Sequence, residues 1–234
     1  MITIIGVGHV FQISEQVREI IIGETPAAVC VELDPRRYRS LVQKEGVKNP
    51  SLAYRMIALF QRRLARQYGG EAGQEMISAV RSAGEIGAAV LFVDVDAGVM
   101  FGRLWKEMAF SEKVRLMFSA LYGLFLSRDR LEKELDQFQE NEEAYMTGFA
   151  QQFPTLKKVL IDDRNTIMAD RIQKAEETYG SVVAVVGDGH VEGIRRLLGG
   201  AVKVIRLREL RGMSKTQGSR TAEASFSFNT TLED

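Results

Sequence analysis

Histidine and cysteine, the residues that most often carry metal binding and nucleophilic catalysis, are nearly absent from this chain. Its 234 residues include two histidines and one cysteine. The single Cys30 excludes an internal disulfide and a cysteine-rich zinc site, in keeping with a reducing compartment. It lies inside an apolar run, where it reads as a small buried hydrophobe rather than a thiol nucleophile. No excess charge of either sign is present: lysine plus arginine and aspartate plus glutamate both number 31. A global electrostatic footprint for nucleic acid is therefore missing. Neither a Gly-x-Ser-x-Gly elbow nor a P-loop occurs. The longest aliphatic-aromatic stretch, Leu116 to Leu126, has eleven residues. At about 1.5 Å per helical residue it is far shorter than a ~30 Å bilayer core. The first apolar run leads straight into Gly6 and His9, so a secretory leader is not expected. A soluble, cytoplasmic chain is the expectation.

What is present suits one globular domain: 45% hydrophobic and 26% charged residues, enough for a sizeable core. Apolar, β-branched runs at Ile2 to Val7, Ala27 to Leu33, Ala88 to Val95, Val182 to Val186 and Val202 to Leu207 read as strands. They are continuous rather than alternating, which suits strands covered by helices on both faces. Helices are expected at Ser14 to Ile22, capped by Ser14, at about Glu71 to Glu85, and at Leu156 to Tyr179. Connections of helix-bearing length imply an α/β fold with a central, largely parallel sheet. Residues 98–152 hold no convincing strand and read as a helical insertion between the third and fourth strands, with helices at Glu112 to Leu126 and Arg128 to Phe149. The domain is expected to span 1–210. Residues 211–234 turn to Ser, Thr, Gly and Gln and read as a flexible tail or truncated linker.

The two histidines end matched phrases. Gly6-Val7-Gly8-His9 closes the first strand and Gly187-Asp188-Gly189-His190 closes the fourth. Open α/β sheets place ligands at the carboxyl ends of their strands, so the repeated phrase points to one site built from both ends of the chain. The bland alternative is that the glycines serve strand-to-helix turns and each imidazole is a satisfied structural residue. A metal would explain the pairing, because neutral imidazole is a common ligand. Two imidazoles hold an ion weakly, so carboxylates are needed. Glu32, at the end of the second strand, is the first candidate; its structural alternative is an ion pair with Arg36 or Arg37. Asp94 and Asp96 end the third strand on the same edge, although Asp96 can equally cap the next helix. Such mixed ligands suit manganese, iron, cobalt or zinc without choosing among them. A dinucleotide-binding unit is the rival: strand, Gly-x-Gly, helix, then Glu32 where a ribose-binding carboxylate would stand. Phe11 occupies the position of the third glycine, and that reading leaves the second Gly-x-x-His phrase unexplained.

Taken together, the phrases resemble the TraB/PrgY family, whose superfamily also includes the Tiki proteases and GumN. Besides the two Gly-x-x-His phrases they include Val31-Glu32-Leu33-Asp34 with Arg37-Tyr38-Arg39-Ser40-Leu41, then Gln74-Glu75-Met76. Val93-Asp94-Val95-Asp96 and Arg103-Leu104-Trp105 follow. Leu160-Ile161-Asp162-Asp163-Arg164-Asn165 and Met168-Ala169 come later, and the second histidine phrase continues as Val191-Glu192-Gly193-Ile194. The resemblance covers about residues 1–208. It implies an α/β fold shared with erythromycin esterase and ChaN-like proteins, and a metal-dependent hydrolase site, attributed in the Tiki branch to peptide cleavage. The PrgY branch is associated with limiting a peptide pheromone, by cutting or by capture. The family's histidines map onto His9 and His190 and its strand glutamate onto Glu32. Its usual Glu-Arg pair is Asp163-Arg164 here, one methylene shorter. The Arg that commonly follows the first aspartate of the third-strand phrase is Val95.

The resulting expectation is a metal-dependent hydrolase, most plausibly a peptidase acting on small peptides. His9, His190 and Glu32 would hold manganese, cobalt or zinc. Glu32 would alternatively act as general base, and Arg164 or Arg103 would stabilise an oxyanion. Glu75, Asp94, Asp96, Asp163 and Arg37 are additional candidates. A non-hydrolytic peptide binder is the alternative, and a nucleotide-binding protein a further one. Local charge is uneven: Arg36 to Arg66 is basic, Glu132 to Glu143 acidic, Arg195 to Arg220 basic again. These read as solvated helix faces, or as complementary contacts in a homodimer. Membrane-anchored relatives carry apolar C-terminal spans, which would place a basic segment near a membrane through an anchor missing here. The apolar Leu116 to Leu126 is expected to be covered, and Trp105 to be buried.

Overall fold

A computed structural model describes residues 1–8, 13–43, 73–124 and 142–213. His9, the basic stretch 44–72, the segment 125–141 and the tail 214–234 lie outside the described residues. The elements run β1 (Ile2–Val7), α1 (Ser14–Glu24), β2 (Ala28–Val31), α2 (Pro35–Gln43), α3 (Gln74–Glu85), β3 (Ala89–Phe92), α4 (Ala97–Glu107) and α5 (Phe110–Leu124). Then follow α6 (Glu142–Gln152), α7 (Pro154–Lys157), one π turn (Lys158–Asp162), α8 (Asp163–Tyr179), β4 (Val182–Gly187), α9 (Asp188–Leu198) and β5 (Val202–Ile205). The described residues between β3 and β4 are helical, as expected from their lack of β-branched runs. Among the described residues no helix is long and apolar enough to cross a membrane.

The sheet has five strands in the order β3-β2-β4-β1-β5, and every pairing is parallel. Its uniform apolarity follows from burial on both faces. Ile5, Val7, Val29, Val31, Val183 and Val185 pack with Val17 and Ile21 of α1 and with Met76, Ala79 and Ala83 of α3. The alternate residues Ile4, Ala28, Cys30, Ala184 and Val186 pack with Met168, Ala169 and Ile172 of α8 and Val191 and Ile194 of α9. Successive strand side chains point to opposite faces. Glu32, two residues after Cys30, therefore points toward α8 and α9.

The returning strand β4 lies between β1 and β2. Its register aligns Val7 with Gly187 and Val31 with Val185. Glu32, Gly187 and Val7 thus stand at one carboxyl edge, although they come from opposite ends of the chain.

Several local expectations differ from the structure. Ser14 does not cap α1: it is the first helical residue, Ile13 precedes it, and the Ser14 carbonyl accepts from Ser78 Oγ at 2.8 Å. The single helix expected from Leu156 is instead a short α7 begun by Pro154, the π turn, and α8. Trp105 is 53% exposed rather than buried, with the Lys113 ammonium 5.1 Å above its ring. Met117 and Phe118 on α5 are also exposed. That helix buries only part of its circumference, with Leu116 packing against the Leu104–Met108–Val159 cluster. Helix continues over 207–213, past the expected domain end.

Candidate functional site at the carboxyl edge of the sheet

Four side chains from four segments converge: Glu32 after β2, Asp94 after β3, Arg164 on α8 and His190 on α9. All are nearly sealed from solvent, at 4%, 5%, 11% and 7% side-chain exposure. Arg164 is the centre. Its Nε donates to Asp94 Oδ1 at 2.9 Å and its Nη2 to Asp94 Oδ2 at 2.8 Å, a bidentate pairing that suits the planar guanidinium. Nη2 also bonds Glu32 Oε1. Nη1 donates to the Leu160 carbonyl at 3.1 Å and stands 3.0 Å from His190 Nε2. Burial on its own would lower the Arg164 pKa, but Glu32 and then Asp94 outweigh it, and the net direction is upward. Arg164 is therefore a permanent cation.

Backbone geometry holds the carboxylates. Gly187 N–H donates to Glu32 Oε2 at 2.6 Å, while Glu32 N–H donates to the Val185 carbonyl. Glu32 is thus clamped to β4 at both its backbone and its outer oxygen, leaving Oε1 toward Arg164. A Cβ on Gly187 would come 3.3 Å from Glu32 Oε2, a tight approach that would press on this carboxylate. Asp94 Oδ1 also accepts from Val95 N–H at 2.8 Å, and Arg171 Nη1 donates to the Asp94 carbonyl at 2.7 Å.

The π turn sets where Arg164 points. It closes with Asp163 N–H donating to the Lys158 carbonyl, five residues back. One extra residue in a turn rotates everything after it by about 100°, and such turns recur at functional sites. In the first turn of α8, Asn165 begins the buried stripe that continues through Met168, Ala169, Ile172 and Ala175. His190 likewise lies on the buried stripe of α9 with Val191 and Ile194. Asn165 Oδ1 meets His190 Nδ1 at 2.7 Å. The sequence motif that contains Asn165 assigns it no role. Its signal was a polar residue at the head of an apolar helical stripe.

The remaining candidates lie elsewhere. Asp96 is the N-cap of α4, its Oδ1 accepting from Gly98 N–H at 2.9 Å and Val99 N–H at 3.1 Å. Its Oδ2 pairs with Arg36 at 3.2 Å. The ion pair once considered for Glu32 thus belongs to Asp96, and the partner of Glu32 is Arg164. Arg103 is half-exposed and reaches Glu107 at 2.6 Å and Asp163 at 2.9 Å. Asp163 faces that surface network, not the Glu32 cluster. Arg37 contributes a backbone N–H to Asp34 Oδ1 at 3.0 Å, part of an Asx turn that opens α2. Glu75 is 1% exposed on α3, which packs on the opposite sheet face from α8. His9 is outside the described residues.

Asp188, the other acid of the second histidine phrase, ties β5 to the edge. Arg206 donates to it at 2.9 and 2.8 Å, and Leu207 N–H at 2.9 Å. It occupies the space a side chain at Gly6 would need: a Cβ there would lie 2.3 Å from Asp188 Oδ1. Four described cations of the basic stretch from Arg195 are similarly engaged. Arg195 and Arg196 pair with Glu192, Lys203 with Glu24, and Arg206 with Asp188.

The TraB/PrgY/gumN family model matches residues 2–200. An uncharacterised protein of Methanocaldococcus jannaschii is 33% identical over 215 residues, covering 84% of this chain and 53% of the relative. The chain therefore spans about half the length of that relative. With a family match across nearly the whole described fold, the chain belongs to the TraB/PrgY/gumN family.

Proposed function

We propose that the cluster is a hydrolytic site that works with a divalent metal and acts on small peptides. One observation supports the reading above all: Glu32 Oε1 and His190 Nε2, from distant parts of the chain, stand 3.6 Å apart with both side chains nearly buried. Two donors around one divalent ion at ~2.0–2.2 Å lie about 3–4 Å apart, so the separation suits such an ion once Arg164 yields the bonds it makes to both atoms. Glu32 and His190 would hold it, with His9 as a further donor. Manganese, cobalt and zinc all suit this mixed set. A bound ion supplies Lewis acidity, polarising a scissile carbonyl and making water acidic near neutral pH. Peptide as the substrate class rests on the family resemblance.

The chain's own groups divide the remaining work. Glu32 Oε2 is fixed by Gly187 N–H, so Oε1 is the atom left for chemistry: it would either ligate the ion or, with the ion held by the histidines, take a proton from the attacking water. Arg164, anchored on Asp94 through Nε and Nη2, holds a fixed positive charge that would stabilise negative charge developing on a nearby carbonyl oxygen. Asp94 holds that guanidinium in register and touches no substrate.

A second reading, peptide capture without cleavage, is favoured by one feature: all four oxygens of Glu32 and Asp94 already accept hydrogen bonds within the protein. Nucleotide binding is weakened by the same geometry. Glu32 is committed to Gly187 and Arg164, and β4 separates β1 from β2, unlike the strand order of dinucleotide folds.

The test is incubation with mixed short peptides and manganese, cobalt or zinc, read by mass spectrometry for wild type and Glu32→Gln. Metal-dependent fragments falling at least ~100-fold in the variant would support hydrolysis, the scale expected for a lost general base. Intact peptide retained with no fragments would favour capture. Neither fragments nor retention would overturn both. Calorimetry of wild type against the His9→Ala/His190→Ala double variant tests the metal separately, and equal binding by both would remove His9 and His190 as ligands.

A further inference from the structure

We propose that Asn165 is a positioning residue: it holds His190 as the Nδ1–H tautomer and so aims the Nε2 lone pair at Glu32 and Arg164, in space that Gly193 keeps open. Three observations carry this. Arg164 Nη1 lies 3.0 Å from Nε2, and a guanidinium can only donate, so Nε2 is the acceptor. A neutral imidazole with Nε2 as acceptor carries its proton on Nδ1. The atom facing Nδ1 at 2.7 Å is Asn165 Oδ1, an acceptor. The bonds are mutually consistent in only this sense.

The other side of the amide explains a glycine with ordinary helical backbone. A Cβ on Gly193 would lie 2.1 Å from Asn165 Nδ2 and 2.9 Å from its Cγ. Gly193 is one turn of α9 beyond His190, so that helix supplies both the imidazole and the gap for its partner. Asn165 is 5% exposed, as befits a group whose only work is internal.

The consequence for the site is direct. A ring free to exchange tautomers or rotate would offer Nε2–H to the cluster part of the time and repel any cation there. Locked as Nδ1–H, the neutral ring keeps its lone pair on Nε2. This use of the lone pair rests on the metal reading above, whereas the tautomer itself does not.

The experiment is long-range proton–nitrogen NMR of the uniformly nitrogen-15-labelled chain at about pH 7.5, without metal. With two histidines in the sequence, His9→Gln assigns both rings. We expect a pyrrole-type Nδ1 and a pyridine-type Nε2 for His190, the latter coupled to both ring carbon-bound protons. Asn165→Leu should abolish that pattern, and the isosteric Asn165→Asp, which keeps an acceptor, should retain Nδ1–H. Gly193→Ala, which displaces the amide without removing it, should also disturb the pattern and serves if Asn165→Leu fails to fold. An Nε2–H or doubly protonated ring in the wild type would overturn the proposal. So would an unaltered pattern in either disrupting variant. Manganese titration of the same samples, expected to weaken ~10–100-fold in Asn165→Leu, separates the two readings. No metal binding by a wild type that shows the Nδ1–H pattern would sink the metal reading alone.

Discussion

Removing the guanidinium at the centre of the cluster is the sharpest perturbation available. Arg164→Gln deletes the charge between Glu32 and Asp94, whose side chains are 4% and 5% exposed. It also deletes the donor that faces His190 Nε2. At an effective dielectric of 20 a charge pair about 4 Å apart interacts by roughly 4 kcal/mol, and Arg164 makes two such pairs. Desolvation of the guanidinium opposes much of that gain. The cost of breaking a buried pair by removing one partner is therefore about 3–5 kcal/mol, because the surviving carboxylates stay buried without a counterion. For a chain of this size that is a fall in Tm of roughly 6–20 °C. Urea denaturation at pH 7.5 measures it directly. The double variant Arg164→Gln/Glu32→Gln should regain part of the loss, since one buried negative charge goes with its partner. A single variant within about 0.5 kcal/mol of wild type would be the behaviour of a surface pair, and it would refute the sealed, charge-coupled cluster.

Three further outcomes follow from other parts of the fold. Gly193→Ala should lower stability by roughly 1–4 kcal/mol: overpacking and a lost buried hydrogen bond outweigh the ~1 kcal/mol gained in helix propensity. Gly189→Ala, where a Cβ meets nothing within 4 Å, should be neutral or stabilising, and equal thermal shifts in the two variants would refute the packing argument. Cys30, pushed up to about 12 by burial, should resist Ellman's reagent at pH 8 until the chain unfolds. Its neutral thiol stabilises the fold fully below the ordinary value of 9, and the contribution is lost as pH rises toward 12; rapid native labelling would contradict this. Glu192 is held down at about 2 by its hydrogen bond from Arg195 above all, with Arg196 adding and partial burial opposing. Its contribution is present above the ordinary carboxylate value near 4.5 and lost as pH falls toward 2. Solvent screens this pair, so Glu192→Gln should cost under ~1 kcal/mol at pH 7. The cost should shrink by pH 3 in parallel urea titrations.

The sheet, its parallel sense and the helical stretch between β3 and β4 were legible in the linear chain. Continuous β-branched runs separated by helix-length connections leave few other ways to bury both faces. That the second Gly-x-x-His phrase and Glu32 stand at strand ends was legible too. Partnership was not. Glu32 had Arg36 and Arg37 as near neighbours in sequence, yet its partner is Arg164, 132 residues away. That choice depends on β4 entering between β1 and β2, and on a π turn rotating the start of α8. Neither can be read from local pattern, because strand order and helix phase are settled by packing across the whole sheet. The same holds for Asn165 and Gly193, whose fit is a matter of ångströms between two helices. Local periodicity decides which residues face inward; only the assembled sheet and its two helical layers decide which of them meet.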